Sequence, residues 1–427
     1  SPLRLVWPPG TGVSGDGAVM GRILVGIGGG IAAYKVCELI SRWVQEQHEV
    51  RVILTRTAEQ FVTPLTVSTL SRQRAYTDRD FWQAQGRPLH IELGAWAEVI
   101  LLAPLTADLL AKVAHGLADD LLTNTLLAST APVLIAPAMN TTMWQQISVQ
   151  RNYQILQQWP RLHTVGVRSG LLACDVIGAG RMAEPAEIDP WIHSLLITQG
   201  KRDLSPYKIL VTAGGTREYL DPVRFFGNPA TGQMGLALAQ AAGHRGATVT
   251  FIHAPMQQPI PPFARVIAVT SGPEMYDAVL AEFPRQDWCL MAAAVGDVQP
   301  ATYSPHKLPK RDLPACLPLQ PVPDILQALA GKKQPHQLLI GFAAQSGDIE
   351  PPAWEKLTAK NLDAIIANPV DRPGAGFGSR TNQGIWLDRR GQKIPLPPAP
   401  KLTLAHQILD AAGAFYSSVS SASAADG

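Results

Sequence analysis

The stretch Arg22-Ile-Leu-Val-Gly-Ile-Gly-Gly-Gly-Ile-Ala-Ala-Tyr-Lys35 places an apolar run directly before three glycines. Apolar residues then recur with a helical period from Val36 to Val44, and a second apolar run follows at 49–55. This order predicts a buried parallel strand, a tight turn, an amphipathic helix and another strand. It is the pattern of a doubly wound α/β fold, in which helices cover both faces of a parallel sheet.

The second half of the chain repeats this pattern. A strand is predicted at 208–212, a glycine turn at 213–216 and a helix at 232–243. Further buried strands are predicted at 98–104, 132–137, 247–252, 287–294, 338–342 and 362–368. The predicted fold class is therefore α/β, with two Rossmann-like domains built on mainly parallel sheets.

A polar connector containing glycine and proline at 199–206 separates the two halves. It sets the predicted domains at 20–200 and 201–415. We expect the glycine-rich residues 1–19 to form a loose leader, and the Ser/Ala-rich residues 416–427 to form a disordered tail.

Composition limits the classes of function. The chain has 427 residues, of which 46% are hydrophobic and 16% charged, and its formal net charge is +2. So small a charge gives no reason to expect a nucleic acid or a membrane surface as partner. The four cysteines are spaced neither as metal ligands nor as a disulfide framework, which is typical of a reducing cytosol. No apolar run reaches the length of a membrane-spanning helix.

Candidate functional residues in the first half follow predicted strand ends. The glycines at 28–30 would aim backbone N–H groups at an anion, although a tight packing turn is the alternative. Thr106 is either a helix N-cap or a contact to the same ligand, and Asn140 is either an N-cap or a partner for a carboxylate. His90 alone is most simply an ordinary histidine. Cys174 lies among glycines and an arginine, which suggests a mobile loop whose thiol could deliver a proton.

The second half has a denser polar cluster before its helix. Residues 214–235 contain several glycines, two arginines and Asn228, a combination that a loop needed only for folding rarely carries. Lys307 and Lys310 add cations downstream. Lys356 and Lys360 stand four residues apart on one predicted helix face, as either a solvated surface or a triphosphate clamp.

Together these strings resemble the bifunctional phosphopantothenoylcysteine decarboxylase/phosphopantothenate–cysteine ligase family over about residues 20–415. In the first half the resemblance rests on the strings at 29–35, 90–94, 103–108, 118–123, 137–140 and 173–182. It implies a flavodoxin-like, FMN-binding cysteine decarboxylase in which His90 is the active-site histidine, Asn140 holds the substrate carboxylate and Cys174 donates a proton. The residues it assigns to the cofactor are Gly28, Gly29, Gly30, Ile31, Thr55 and Thr106.

In the second half the resemblance rests on the strings at 212–218, 221–224, 292–297, 323–325, 341–344 and 360–363. It implies that Asn228 and Arg224 hold an activated acyl intermediate and that Lys307 acts in catalysis beside the nucleotide. The residues it assigns to the nucleotide site are Asp297, Pro323, Asp324, Phe342, Lys356 and Lys360.

The chain departs from the family's usual strings at three places. Gly28 stands where the family often has Ser or Thr, so that backbone N–H groups must replace a hydroxyl at the phosphate. Asp175 follows Cys174 where glycine is common, which bears on the flexibility of the loop but leaves the thiol in place. The turn Ala-Gly-Pro-Thr becomes Ala-Gly-Gly-Thr at 213–216, and we expect this change to be harmless.

The family reactions are two consecutive steps of coenzyme A biosynthesis. By resemblance, the ligase half uses CTP and Mg²⁺ to convert 4′-phosphopantothenate to an acyl-cytidylate, which the amine of cysteine attacks. The decarboxylase half then removes CO₂ from the product with FMN and gives 4′-phosphopantetheine. The resemblance also implies a cytoplasmic homo-oligomer with trimeric flavin domains and dimeric ligase domains. The sequence assigns no residues as metal ligands.

Two alternatives come from other classes of protein. Some relatives of the flavin half are regulatory subunits that bind and inhibit a phosphatase, and others are flavin-dependent prenyltransferases of the same fold. His90, Asn140 and Cys174 are all present and a ligase half follows, which favours the enzyme over the regulatory subunit. The cysteine segment and the ligase half argue against a prenyltransferase.

Overall fold

The computed structural model describes residues 12–13, 19–83, 86–171, 177–313, 316–369 and 381–425. Among these residues the chain divides into two compact units, the first ending at Lys201 and the second beginning at Arg202. Each unit is an α/β structure around a mainly parallel sheet. This confirms the fold class predicted from the sequence.

Strands and helices alternate along the first unit. Its strands are β1 Gly12–Val13, β2 Val19–Met20, β3 Arg22–Ile27, β4 Glu49–Leu54, β5 Ala75–Tyr76, β6 Val99–Leu105, β7 Val133–Pro137, β8 Leu162–Thr164, β9 Arg168–Leu171 and β10 Ile177–Arg181. Its helices are α1 Ala33–Gln45, α2 Pro64–Ser71, α3 Asp78–Phe81, α4 Leu89–Trp96, α5 Ala107–His115, α6 Leu121–Leu127, α7 Thr141–Gln145, α8 Ile147–Gln157 and α9 Pro185–Thr198, with a 3₁₀ turn at Ala58–Gln60.

The main sheet of the first unit has the strand order β5-β4-β3-β6-β7-β8, and all its pairs are parallel. Residues of β3 alternate between two buried cores. Ile23 and Val25 pack with α1 and α9 on one face, whereas Leu24 packs with α4, α5, α6 and α8 on the other. Strand numbers fall along the sheet from β5 to β3 and rise from β6 to β8, so the direction of the chain order reverses between β3 and β6. At such a reversal a crevice forms at the carboxyl ends of the strands.

The second unit follows the same plan with a larger sheet. Its strands are β11 Lys208–Ala213, β12 Arg217–Tyr219, β13 Phe225–Gly227, β14 Thr248–His253, β15 Arg265–Ala268, β16 Trp288–Met291, β17 Val298–Pro300, β18 Leu319–Pro321, β19 Leu338–Gln345, β20 Ala364–Pro369, β21 Thr381–Asp388 and β22 Lys393–Pro400. Its helices are α10 Gln233–His244, α11 Gly272–Glu282, α12 Ile325–Lys332, α13 Glu350–Ala359 and α14 Lys401–Ala425, with 3₁₀ turns at Phe283–Arg285 and Lys310–Asp312.

The main sheet of the second unit has the order β15-β14-β11-β16-β19-β20-β21-β22. Its pairs are parallel as far as β20, and β21 and β22 are then added in antiparallel pairs. Helices α10 and α14 cover one face, and α11, α12 and α13 cover the other. The order reverses between β11 and β16, so the glycine turn after β11 lies at the crevice, as the one after β3 does in the first unit.

The C-terminal end differs from expectation. Helix α14 continues to Ala425, so the tail that we expected to be disordered from 416 is helical to that residue. Tyr416 lies edge-on to Tyr207, with ring centroids 5.3 Å apart, and Arg390 donates to the Ser418 carbonyl at 3.0 Å. These tertiary contacts outweigh the composition on which the expectation was based. In the expected leader, β1 and β2 pair as a short antiparallel ladder, and all its other residues lie outside the described ranges, so the expectation stays a prediction there.

Among the helices of the described residues, none has both the length and the apolar character needed to cross a lipid bilayer.

Candidate active sites

The glycine turn of the first unit joins β3 to α1. Gly28 N–H donates to the Pro104 carbonyl at 3.2 Å, which ties the turn to the end of β6. A Cβ on Gly28 would overlap that carbonyl oxygen, and a Cβ on Gly29 would overlap Thr57. Within the described residues the N–H groups of Gly29 and Ile31 have no hydrogen-bond acceptor. The turn therefore offers free backbone donors at a helix N-terminus, an arrangement that suits a phosphate.

Two threonines flank the turn, and the protein already uses their hydroxyl groups. Thr55 Oγ1 donates to the Ile27 carbonyl at 3.1 Å and accepts from Ala58 N–H at 3.2 Å. Thr106 Oγ1 accepts from Leu109 N–H at 3.3 Å and so caps α5, as one of the two sequence interpretations expected. Because Thr106 accepts in this contact, its own hydroxyl hydrogen can still be donated to an anion.

His90 lies in the first turn of α4, which leads directly into the amino end of β6. That turn is therefore directed towards the carboxyl edge of the sheet. The ring packs edge-on against Phe81 at 5.5 Å between centroids. Its Nδ1 is buried and has no hydrogen-bond partner among the described residues. A buried polar atom of this kind is expected to find a partner when a ligand binds.

Asn140 follows β7 and caps α7, with Oδ1 accepting from Thr142 N–H at 2.8 Å. The oxygen of the amide thus has the capping role that the sequence allowed, and its NH₂ group is the half that can donate to a carboxylate. The two interpretations of Asn140 are compatible with each other.

Cys174 and Asp175 lie outside the described residues, but the strands on either side of them are described. β9 and β10 pair as an antiparallel ladder. Met139 N–H donates to the Gly180 carbonyl at 2.9 Å, and a Cβ on Gly180 would overlap the Met139 carbonyl oxygen. The close approach and the φ of 130° at Gly180 both require glycine. The described end of β10 is therefore held next to Asn140.

An ion-pair network that sequence reasoning missed supports this anchor. Glu184 accepts from Lys35 Nζ at 2.9 Å and from Arg181 Nη2 at 2.8 Å. Lys35 belongs to α1 and Arg181 ends β10, so the network connects the helix of the glycine turn to the base of the Cys174 segment. Lys35 lies in one of the strings quoted above, but nothing in the sequence pairs it with Glu184.

The second unit contains a cavity of about 690 Å³ at the carboxyl ends of β11, β16, β19 and β20. Most of the residues predicted for the ligase half line it. They are Asn228, Asp297, Pro323, Asp324, Phe342, Lys356 and Lys360. Arg224 and Lys307 are not among the lining residues.

Hydrogen bonds join two of the predicted strings beneath this cavity. Ala294 N–H donates to the Gly214 carbonyl at 2.8 Å, and Thr216 N–H donates to the Ala294 carbonyl at 3.1 Å. Thr216 Oγ1 accepts from Gly296 N–H at 2.9 Å. The loop that carries Asp297 is thereby fixed to the glycine turn after β11, which brings two distant strings together at one place.

Charges at one end of the cavity are coupled. Lys360, just beyond the last residue of α13, forms an ion pair with Asp324. Burial would raise the pKa of Asp324, but the hydrogen bond from Lys360 and the Gln327 N–H lower it. Lys356 Nζ donates to the Phe342 carbonyl at 2.9 Å. Burial lowers the pKa of Lys356, and the charges of Asp324 and Asp297 offset part of this effect.

Five further polar residues line the cavity and were missed by sequence reasoning: Thr231, Gln233, Asn368, Asn382 and Lys401. Gln233 is the first residue of α10 and Lys401 the first residue of α14. Gln233 lies inside the polar cluster at 214–235, which was a usable signal. Lys401 lies in no string that the resemblance uses.

Among the described residues, the side chains of Glu46, His48 and His193 in the first unit lie close enough together to surround a metal ion. Gly21 N–H donates to His48 Nδ1 at 3.1 Å, so the neutral ring carries its proton on Nε2 and has no lone pair there for a metal. Burial would lower the pKa of His193, but its hydrogen bond to Glu46 and the charge of Asp189 raise it to about 9. The cluster is an ion pair with a charged histidine.

Two protein-family models match the chain. "Flavoprotein" matches residues 17–196, and "DNA/pantothenate metabolism flavoprotein C-terminal domain" matches residues 204–415. The coenzyme A biosynthesis bifunctional protein CoaBC of Bacillus subtilis (strain 168) is 43% identical, over 91% of this chain and 95% of the relative. This chain belongs to the CoaBC family. The CoaBC protein of Vibrio cholerae is 41% identical, over 91% of this chain and 96% of the relative.

Membership in the CoaBC family confirms the resemblance inferred from the strings in both halves. A crystal structure of the C-terminal domain of a CoaBC protein is 34% identical, covers 48% of this chain and 94% of its own, and has a TM-score of 0.42.

Proposed function

We propose that this chain joins 4′-phosphopantothenate to cysteine at the expense of CTP and then decarboxylates the product with FMN to give 4′-phosphopantetheine. The second unit performs the ligation and the first performs the decarboxylation. The observation that carries this proposal is the cavity of about 690 Å³, in which Asn228, Asp297, Lys356 and Lys360 meet at the edge where a nucleotide is expected. Family membership supports the pairing of the two activities in one chain.

The residues of the first unit fit an FMN phosphate at the turn after β3. The N–H groups of Gly29 and Ile31 and the hydroxyl of Thr106 are the donors available to it. FMN supplies two-electron chemistry that side chains lack. In this proposal the amide NH₂ of Asn140 holds the substrate carboxylate, and the buried Nδ1 of His90 gains a partner from the ligand.

Cys174 has the acid role in the first unit. When CO₂ leaves the substrate, the remaining fragment must gain a proton, and a cysteine thiol can donate it. The contact between Met139 and Gly180 holds the described end of β10 beside Asn140, and Cys174 lies six residues before Gly180 in the sequence.

In the second unit the substrate carboxylate attacks the α-phosphorus of CTP, and pyrophosphate leaves. The cysteine amine then attacks the acyl carbon and displaces CMP, so that an amide bond replaces the acyl–phosphate bond. Lys356 and Lys360 neutralise phosphate charge, and Asn228 contacts the acyl intermediate. Mg²⁺ prefers carboxylate and phosphate oxygens, and the Asp297 carboxylate, which has no ion-pair partner among the described residues, is the group that would hold it.

We also propose an assembly with trimeric first units and dimeric second units, located in the cytoplasm. Large apolar side chains are exposed on both units, among them Leu65 and Trp82 on the first and Phe225 and Phe226 on the second. Exposed apolar residues of this size are common where subunits meet. The described cysteines are free thiols, which suits a reducing compartment.

The experiment that tests the function uses purified chain, 4′-phosphopantothenate, cysteine and CTP with Mg²⁺. We expect the purified protein to show the absorption of bound FMN. We also expect it to form 4′-phosphopantetheine from these substrates. Cys174→Ser should still form the amide product but should stall before loss of CO₂. Release of 4′-phosphopantetheine by Cys174→Ser at the wild-type rate would show that Cys174 is not the acid.

A further inference from the structure

Lys401 reaches the ligase cavity from the face of the sheet opposite to Lys356 and Lys360. α14 follows β22 directly, and β22 runs in the same direction as β20 because both pair antiparallel with β21. The first residue of α14 therefore lies at the edge where the parallel strands end. α14 packs in one core of the unit, and α13, which carries Lys356, packs in the other. The cavity thus has cations at both of its sides.

The position of Lys401 is electrostatically unfavourable in the protein alone. A helix N-terminus has partial positive charge and repels a lysine there. Lys401 Nζ donates to the neutral Gln233 Oε1 at 2.8 Å, and no carboxylate of the described residues forms an ion pair with it. Burial lowers the pKa of Lys401. An anion bound beside the ammonium group would relieve both effects.

The surroundings of Lys401 indicate which anion fits. Gln233 begins α10, a helix of 12 residues whose N-cap, Gly232, provides no side-chain cap. Residues 232–235 line the cavity together with Lys401. The ammonium group and two helix N-termini therefore converge on one place. This donor set suits a phosphate, which accepts several hydrogen bonds and has more than one negative charge.

We propose that Lys401, oriented by Gln233, binds a phosphate group of the ligase substrates at this side of the cavity. The inference rests on the proposed function and adds a residue to it. Two ligands carry phosphates of this chemistry: CTP, through its β and γ phosphates, and 4′-phosphopantothenate, through its phosphate ester. On the opposite side, Lys356 and Lys360 then neutralise the phosphate charge that Lys401 does not contact.

The test compares the full chain with Lys401→Met and Lys401→Arg. Lys332→Met is the matched control, because Lys332 is exposed on α12 and does not line the cavity. Calorimetry with Mg²⁺ measures the Kd of CTP and of CMP, and the ligase assay measures KM for 4′-phosphopantothenate. Decarboxylation of supplied 4′-phosphopantothenoylcysteine by each preparation shows that the first unit is intact, and thermal unfolding shows that the second unit has folded.

For Lys401→Met we expect a loss of about tenfold to a hundredfold in one of the two ligand measurements, the size of a lost charged hydrogen bond. Lys401→Arg should keep most of the affinity, and Lys332→Met all of it. Weaker CTP binding with CMP unchanged identifies the β and γ phosphates, whereas a raised KM for the acid identifies its ester.

Wild-type values for Lys401→Met in both measurements would overturn the inference and leave the proposed function standing. A wild-type chain that neither binds CTP nor forms the amide would instead overturn the proposed function, and this inference with it.

Discussion

The Asp221 carboxylate and the Arg224 guanidinium form an ion pair in which Oδ2 accepts from Nη1 at 2.9 Å. Asp221 is fully buried and also accepts from the N–H groups of Val223 and Leu308. Arg224 donates to the Leu308 carbonyl at 3.2 Å. These hydrogen bonds therefore hold Leu308, the residue after Lys307, against the loop that precedes Asn228. We infer that Arg224 acts on the reaction by positioning Lys307.

Asp221→Asn should release the segment that carries Lys307. Burial would raise the pKa of Asp221, but three backbone N–H groups and Arg224 lower it, so the native state depends on the charged form. Its contribution to stability is present above the ordinary value of 3.8 and is lost as pH falls through the lowered pKa. We expect the ligase kcat to fall strongly while decarboxylation of supplied 4′-phosphopantothenoylcysteine is unchanged.

The matched control is Asp277→Asn, because Asp277 is exposed on α11 and away from this loop. A variant of Asp221 with wild-type kcat in the ligase assay would show that the pair does not position Lys307.

Gly28→Ser should weaken the first unit, although the family often has a hydroxyl residue at this position. A Cβ on Gly28 would overlap the Pro104 carbonyl oxygen, which is backbone and moves only with β6. Overpacking of this kind costs about 1–3 kcal/mol in the free energy of unfolding. We expect a lower unfolding temperature and weaker retention of FMN, measured by thermal unfolding and by dialysis.

Gly86→Ser is the control for this prediction, since a Cβ on Gly86 meets nothing within 4 Å. If Gly28→Ser bound FMN more tightly at unchanged stability, the added hydroxyl would be a phosphate donor and the turn would have room for it.

The ion pair between His193 and Glu46 should make the stability of the first unit depend on pH. His193 has its pKa raised from 6.5 to about 9. Its stabilising effect is therefore complete below pH 6.5 and is lost as pH rises through about 9. We expect the free energy of unfolding of the first unit to fall across this window, and Glu46→Gln to flatten that fall.

Urea unfolding at a series of pH values, followed by the fluorescence of released FMN, measures this effect. Glu38→Gln is the control, because Glu38 lies on α1, which Glu46 ends, and pairs with the half-buried Arg42. An unchanged slope in Glu46→Gln would assign the pH dependence to other groups.

The parts of the fold that could be predicted depend on local pattern. β3 is buried on both faces and therefore appears in the sequence as a continuous apolar run before the glycine turn. Lys356 lies in α13 and Lys360 follows its last residue. Because they are four residues apart, both lie on the same side of the helix and reach one cavity. In both cases the determining contacts lie within a few residues of the signal.

The parts that could not be predicted depend on distant pairing. Lys401 reaches the cavity only because β22 pairs with β21, and no local pattern reports that pairing. Arg224 stands in a string typical of a ligand site, but the carbonyl to which it donates is 84 residues away in the chain. The helical end of α14 depends on the contact of Tyr416 with Tyr207, which composition does not encode.

Carboxyl-labelled cysteine tests most directly whether the two units of this chain carry out consecutive reactions. Purified chain is given 4′-phosphopantothenate and this cysteine, with or without CTP, and both the labelled CO₂ and the labelled amide are measured. We predict labelled CO₂ only when CTP is present, and accumulation of the labelled amide without CO₂ in Cys174→Ser. Release of labelled CO₂ without CTP, or without prior formation of the labelled amide, would show that the two reactions are not consecutive.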